Sequence, residues 1–91
     1  MLTLVALVEF SAGAEATGQR YEDTVLALLS RHHGRLERRL RGTDGQAEVH
    51  VIQFDGRAGY ESFLADPERA ALRDALGESA PTTRVIEVHE V

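Results

Sequence analysis

Hydrophobic and polar residues alternate along this chain in two periods, and the switches between them mark out its elements. Residues 2 to 10 repeat every second position: Leu2, Leu4, Ala6, Val8 and Phe10 share one face, and Thr3, Val5 and Leu7 share the other, ending in Glu9. Both faces carry apolar residues, which predicts a strand covered on both sides. A small-residue stretch, Ser11 to Gly18, follows, and a helix starts within it. Tyr21, Val25, Leu28, Leu29 and His32 then fall on one stripe at helical spacing, opposite Asp23, Ala27 and Ser30. Gly34 is expected to cap that helix, with His32 and His33 at the negative end of its dipole.

The period returns to two over Arg35 to Arg41. Strict alternation sets Leu36, Arg38 and Leu40 on one side and Arg35, Glu37, Arg39 and Arg41 on the other. So polar a face suits an edge strand. Gly42-Thr43-Asp44-Gly45 supplies a hairpin turn. It leads into a third strand, Glu48 to Phe54, with Val49 and Val51 against Ile52 and Phe54, and hence central. A second helix opens near Gly56 with Tyr60, Phe63 and Leu64 inward, then restarts at an Asp66 N-cap with Pro67 in the first helical position. Gly77 stops it, and Thr82 to Val91 reads as the last strand.

The resulting β-α-β-β-α-β order predicts a single α+β domain over residues 1–91 with the ferredoxin-like fold. Its four-stranded antiparallel sheet would run in the order 4-1-3-2, with two helices on one face. Those helices shelter one side of the sheet only. The central strands are apolar on both sides, so a homodimer with sheets packed face to face is expected.

Composition narrows the chemistry. The 91 residues include no cysteine and no tryptophan, and the formal charge is −5. All ten basic residues are arginine, and lysine and asparagine are absent. Metal-chaperone versions of the fold need paired cysteines, and acylphosphatase-like versions need an Arg and an Asn around a phosphate. RNA-recognition versions stack bases on strand aromatics, of which the central strands offer only Phe10 and Phe54. The acidic balance also argues against a nucleic-acid partner. Leu2 to Phe10 is too short to cross a membrane and has no basic segment before it, so a cytoplasmic protein is expected.

The run from Tyr21 through Leu28-Leu29-Ser30-Arg31-His32-His33-Gly34-Arg35, the strand Val49 to Asp55, and Tyr60-Glu61-Ser62-Phe63-Leu64-Ala65-Asp66-Pro67-Glu68 together resemble the dimeric α+β barrel superfamily. That group includes antibiotic-biosynthesis-monooxygenase-like proteins and small bacterial families without assigned function. The likeness spans nearly the whole chain, and its most specific part is the aromatic-rich helix break at Asp66-Pro67-Glu68. In the unassigned families a His-Gly-Gly often ends the first helix; here His33 stands for the first of those glycines. The resemblance implies a barrel built from two sheets, with a pocket in each subunit between sheet and helices. It also implies a small apolar or aromatic ligand, bound by a cofactor-independent enzyme of monooxygenase or isomerase type; the alternative is a non-catalytic dimerisation or ligand-sensing module whose histidines and arginines are structural. Cofactor-free monooxygenases and haem-degrading members of the superfamily use Trp and Asn in the pocket, and this chain has neither.

The residues left to carry chemistry are histidines, tyrosines and arginines. His50 shares a face of the third strand with Glu48, Ile52 and Phe54 and is the candidate general base; the competing reading is a core histidine satisfied by a neighbouring carbonyl. His89 repeats the Glu-x-His spacing with Glu87 and is a candidate ligand contact. The first strand would hold the two Glu-x-His pairs about two 4.8 Å spacings apart, so no metal and no cofactor is expected. Tyr21 and Tyr60 lie on inward helix faces, where a hydroxyl can bind a ligand or the ring can simply fill the core. Arg31, Arg35, Arg38, Arg39 and Arg41 crowd eleven residues with only Glu37 among them. Arg38, placed by alternation between Leu36 and Leu40 on the buried side, is expected to anchor a ligand carboxylate or phenolate.

Overall fold

A computed structural model describes residues 1–91. Strand β1 (Leu2–Glu9) leads into helix α1 (Glu15–Leu26) and a 3-10 turn (Leu29–His32). Strands β2 (Gly34–Arg41) and β3 (Ala47–Phe54) form the hairpin. Helices α2 (Arg57–Leu64) and α3 (Pro67–Leu76) and strand β4 (Thr82–Val88) complete the chain. The sheet is antiparallel with order β2-β3-β1-β4, as the hydrophobic pattern predicts.

The pairing settles which face meets the helices. Leu2, Leu4, Ala6 and Val8 pair with Phe54, Ile52, His50 and Glu48, and all eight are buried beneath the helices. From α1 and its continuation come Tyr21, Val25, Leu28 and Leu29, and from α2 comes Phe63. Each of these large apolar side chains contributes about 1.5–3 kcal/mol by leaving water. The opposite face presents Val5 and Leu7 from β1, Val49 and Val51 from β3, and Leu40 and Ile86 from the edges; Leu40, Ile86 and Leu7 are exposed. No helix packs there.

Three local departures from the expected pattern have physical causes. The first helix stops at Leu26 and tightens into the 3-10 turn, so its stripe extends to buried His32 through a change of helix type. His33, rather than Gly34, takes the left-handed conformation that ends the turn, at φ 60°; Gly34 is already the first residue of β2. The third departure corrects the placement of Arg38. A bulge at Glu37 lets Leu36 pair with Ile52 and Arg38 with the very next residue, Val51. One residue is thereby skipped, and every side chain after it changes face. Leu36, Arg39 and Arg41 fall on the helix side, whereas Arg35, Arg38 and Leu40 fall on the open side.

The helix break forms as expected. Asp66 accepts a hydrogen bond from the Glu68 amide at 2.9 Å, and Pro67 sits where its missing N–H costs nothing. Close packing of α2 on the 3-10 turn depends on Gly59, where any Cβ would overlap the His32 carbonyl oxygen. Gly59→Ala is therefore expected to cost roughly 2 kcal/mol and to lower the urea midpoint. An unchanged midpoint would show that α2 can move off the turn freely.

Candidate functional site

Between the helix-facing side of the sheet and the helices lies a small, mostly apolar cavity. Leu4, Ala6 and Ile52 form its floor, and Tyr21, Val25 and Phe63 form its walls. Its free space is about 70 Å³, room for a few heavy atoms of a ligand. It opens toward β4, where the helices cover the sheet least: Val85 is 42% exposed and Leu64 is 45% exposed.

One polar line reaches this cavity. Glu48 is wholly buried on β3 and accepts hydrogen bonds from Arg39 Nε at 2.8 Å, Arg39 Nη2 at 3.2 Å and Arg41 Nε at 2.8 Å. Two residues along the same strand face, His50 Nε2 lies 2.7 Å from the same carboxylate. Burial works to raise the Glu48 pKa, but the hydrogen bonds from Arg39, His50 and Arg41 win and hold it below the ordinary value. A carboxylate only accepts, so Nε2 carries the hydrogen, and Nδ1 is the ring nitrogen turned to Glu22, 3.9 Å away. That distance is too long for a hydrogen bond.

Glu22 of α1, like Arg69 and Arg73 of α3, lines the cavity and was missed by sequence reasoning. The Glu22 side chain is buried. Burial, with the neighbouring Glu48 charge, pushes its pKa from 4.5 up to about 7, against the pull of Arg39, Arg69 and Arg73. The signal was present in the spacing: Gly18, Glu22, Val25 and Leu29 recur at four, three and four, a helical stripe beside the one through Tyr21.

The expected site residues separate into two groups. His50, Tyr21 and Tyr60 meet around the cavity. Arg38 does not: the bulge turns it to the open face, where it shares a shallow groove with Thr3, Gln53 and His89. His89 lies beyond the end of β4, so it does not share a strand face with Glu87, which instead pairs with Arg57 at 2.8 Å. His32 also lies outside the cavity. Its Nε2 is 2.6 Å from Asp66 Oδ2 and its Nδ1 is 2.7 Å from Ser62 Oγ, which ties the 3-10 turn to the helix break. The His32 hydrogen bond, helped by the Glu68 amide and Arg31, lowers the Asp66 pKa to about 2.

No helix is long and apolar enough to cross a membrane. No protein-family model matches the chain, and no curated protein matches it. Solved structures do. A Nitrosomonas europaea protein described provisionally as an antibiotic biosynthesis monooxygenase superposes with TM-score 0.78 at 12% identity, over 100% of this chain and 99% of that one. An uncharacterised NIPSNAP-domain protein from Burkholderia xenovorans gives 0.75 at 16% identity, over 100% and 95%. A point variant of SnoaB, a cofactor-independent oxygenase from Streptomyces nogalater, gives 0.71 at 22% identity, over 98% and 91%. At such identities the likeness is one of fold. The chain has a ferredoxin-like βαββαβ fold, with a four-stranded antiparallel sheet of order β2-β3-β1-β4, and shares it with these structures.

Proposed function

We propose that this protein binds a small apolar or aromatic molecule in the cavity between sheet and helices and removes a proton from it without a cofactor, as part of a homodimer joined through the open sheet face. The observation that carries the reading is the Glu48–His50 pair at the wall of an apolar cavity, with Glu22 across from it. In this scheme Glu48 fixes the ring and its tautomer through Nε2, and the Nδ1 lone pair of neutral His50 takes the proton. The Tyr21 and Tyr60 hydroxyls are candidates to stabilise the negative charge left on the substrate. Proton abstraction is the step that an oxygenase and an isomerase of this kind have in common, and the described activity of SnoaB supports a cofactor-independent route.

A non-catalytic ligand-sensing or dimerisation module is favoured by a different observation, the small volume of the cavity. One measurement separates the two readings. Exchange of the acidic α-protons of 2-indanone in D2O, followed by proton NMR, is expected to run above the buffer rate with the native protein. It is expected to fall by about 10²-fold or more in His50→Gln. Exchange at the buffer rate, or at one rate in both proteins, would favour the non-catalytic module.

A further inference from the structure

Arg69 and Arg73 stand one helical turn apart on α3, so both project from one face of that helix, and both line the cavity. Neither side chain makes a hydrogen bond or an ion pair with any carboxylate, although the chain carries 15 acidic residues. Five other arginines are paired: Arg31, Arg35, Arg39, Arg41 and Arg57. Arg69 is placed further still from satisfaction. Its Nε is buried with no acceptor, the one such buried side-chain nitrogen or oxygen in the molecule. Its guanidinium carbon lies over the Phe63 ring at 5.2 Å, which holds the group at the edge of the apolar space. A buried N–H without a partner costs free energy that an incoming acceptor recovers.

We infer that the ligand of this cavity carries an anionic oxygen group, a carboxylate or a phenolate, that seats on Arg69 and Arg73 while its apolar part enters between Phe63, Ile52 and Ala6. The inference rests on the reading of the cavity as a ligand site and assigns the ligand's charge. The arginine fork suits a planar anion because two parallel N–H groups meet two oxygens. Glu22, His50, Tyr21 and Tyr60 are the other titratable groups around this space, and Thr83 and Val85 of β4 bring none. Glu22 is the only internal anion able to compete for the arginines from the cavity wall. No hydrogen bond or ion pair joins it to either arginine, although both act on its charge through space. In this scheme the anchor expected on strand β2, at Arg38, comes instead from helix α3, on the other side of the sheet.

Benzoate and benzamide have nearly the same shape and differ in charge. Titration of the native protein with each, followed by amide chemical shifts at pH 6, is expected to show benzoate bound about tenfold or more tightly. At that pH Glu22 largely keeps its proton. The double variant Arg69→Gln, Arg73→Gln is expected to bind both probes equally and to keep a dispersed amide spectrum. Equal affinities in the native protein would overturn the inference and leave the cavity reading standing. Benzoate preference that survives in the double variant would overturn it too. If neither probe shifts the cavity amides of the native protein, both readings fall.

Discussion

Replacing Glu22 with Gln is expected to stabilise the protein by roughly 3 kcal/mol at pH 8 and to change little at pH 4.5. The carboxyl titrates at about 7 in the folded chain against 4.5 when free. Between those values the folded state keeps a proton that the unfolded state has released, so native stability falls as pH rises through the window. Above about 7 the full cost of a buried carboxylate is present; below 4.5 none of it is. Gln keeps the shape and hydrogen-bonding atoms without the ionisation. Urea unfolding of both proteins at the two pH values, at one protein concentration, measures the difference. Parallel stability curves would show that Glu22 is hydrated and shares nothing with the apolar space. A buried carboxyl so perturbed beside an apolar cavity is a candidate functional group, which fits its place opposite His50 in the proposed reaction.

The second large effect concerns the open sheet face. Val5 and Val51 sit at its centre, with Ile86 beside them on β4 and Leu7, Val49 and Leu40 in the next row. Arg38 and Arg84 flank this patch at opposite edges. The native protein is expected to sediment at twice 10.0 kDa, because a continuous aliphatic surface left in water is unfavourable and a two-fold contact buries two copies at once. Val5→Arg places a charge in the middle of that contact and is expected to yield a folded species of 10.0 kDa, its circular dichroism retained. Arg is chosen because its stem can lie along the sheet in the monomer. A native protein that sediments as a monomer at micromolar concentration, or a Val5→Arg variant that stays paired, would refute the face-to-face arrangement.

Much of this architecture is legible in the residue pattern because burial writes a period into the sequence. The apolar alternation of Leu2 to Val8 and the Asp66-Pro67 restart locate their elements to within a residue or so. The strand order follows from the topology, and His50 is found by its position among Ile52 and Phe54. Three features escape. Alternation cannot reveal a skipped residue, so the bulge at Glu37 moves Arg38 outward and carries Arg39 and Arg41 inward to Glu48. Likewise, a carboxyl on an apolar helix stripe reads as surface until the neighbours that enclose it are known. Glu22 escapes for that reason, although Tyr21 beside it does not. Arg69 and Arg73 read as ordinary charged positions on a polar helix; only the fold brings them over Phe63 and the cavity.

The Glu48 cluster also bears on how the hairpin finds its alignment. Val- and Leu-rich strands can slide along one another with modest loss, because one aliphatic contact replaces another. Here a slip of two residues along β2 would leave only one of the two guanidinium groups beside the anion they share beneath the helices, a steeper loss than exchanging aliphatic neighbours. The polar cluster thus works as an index mark for an edge strand whose own hydrophobic content, Leu36 and Leu40, is too thin to specify a position.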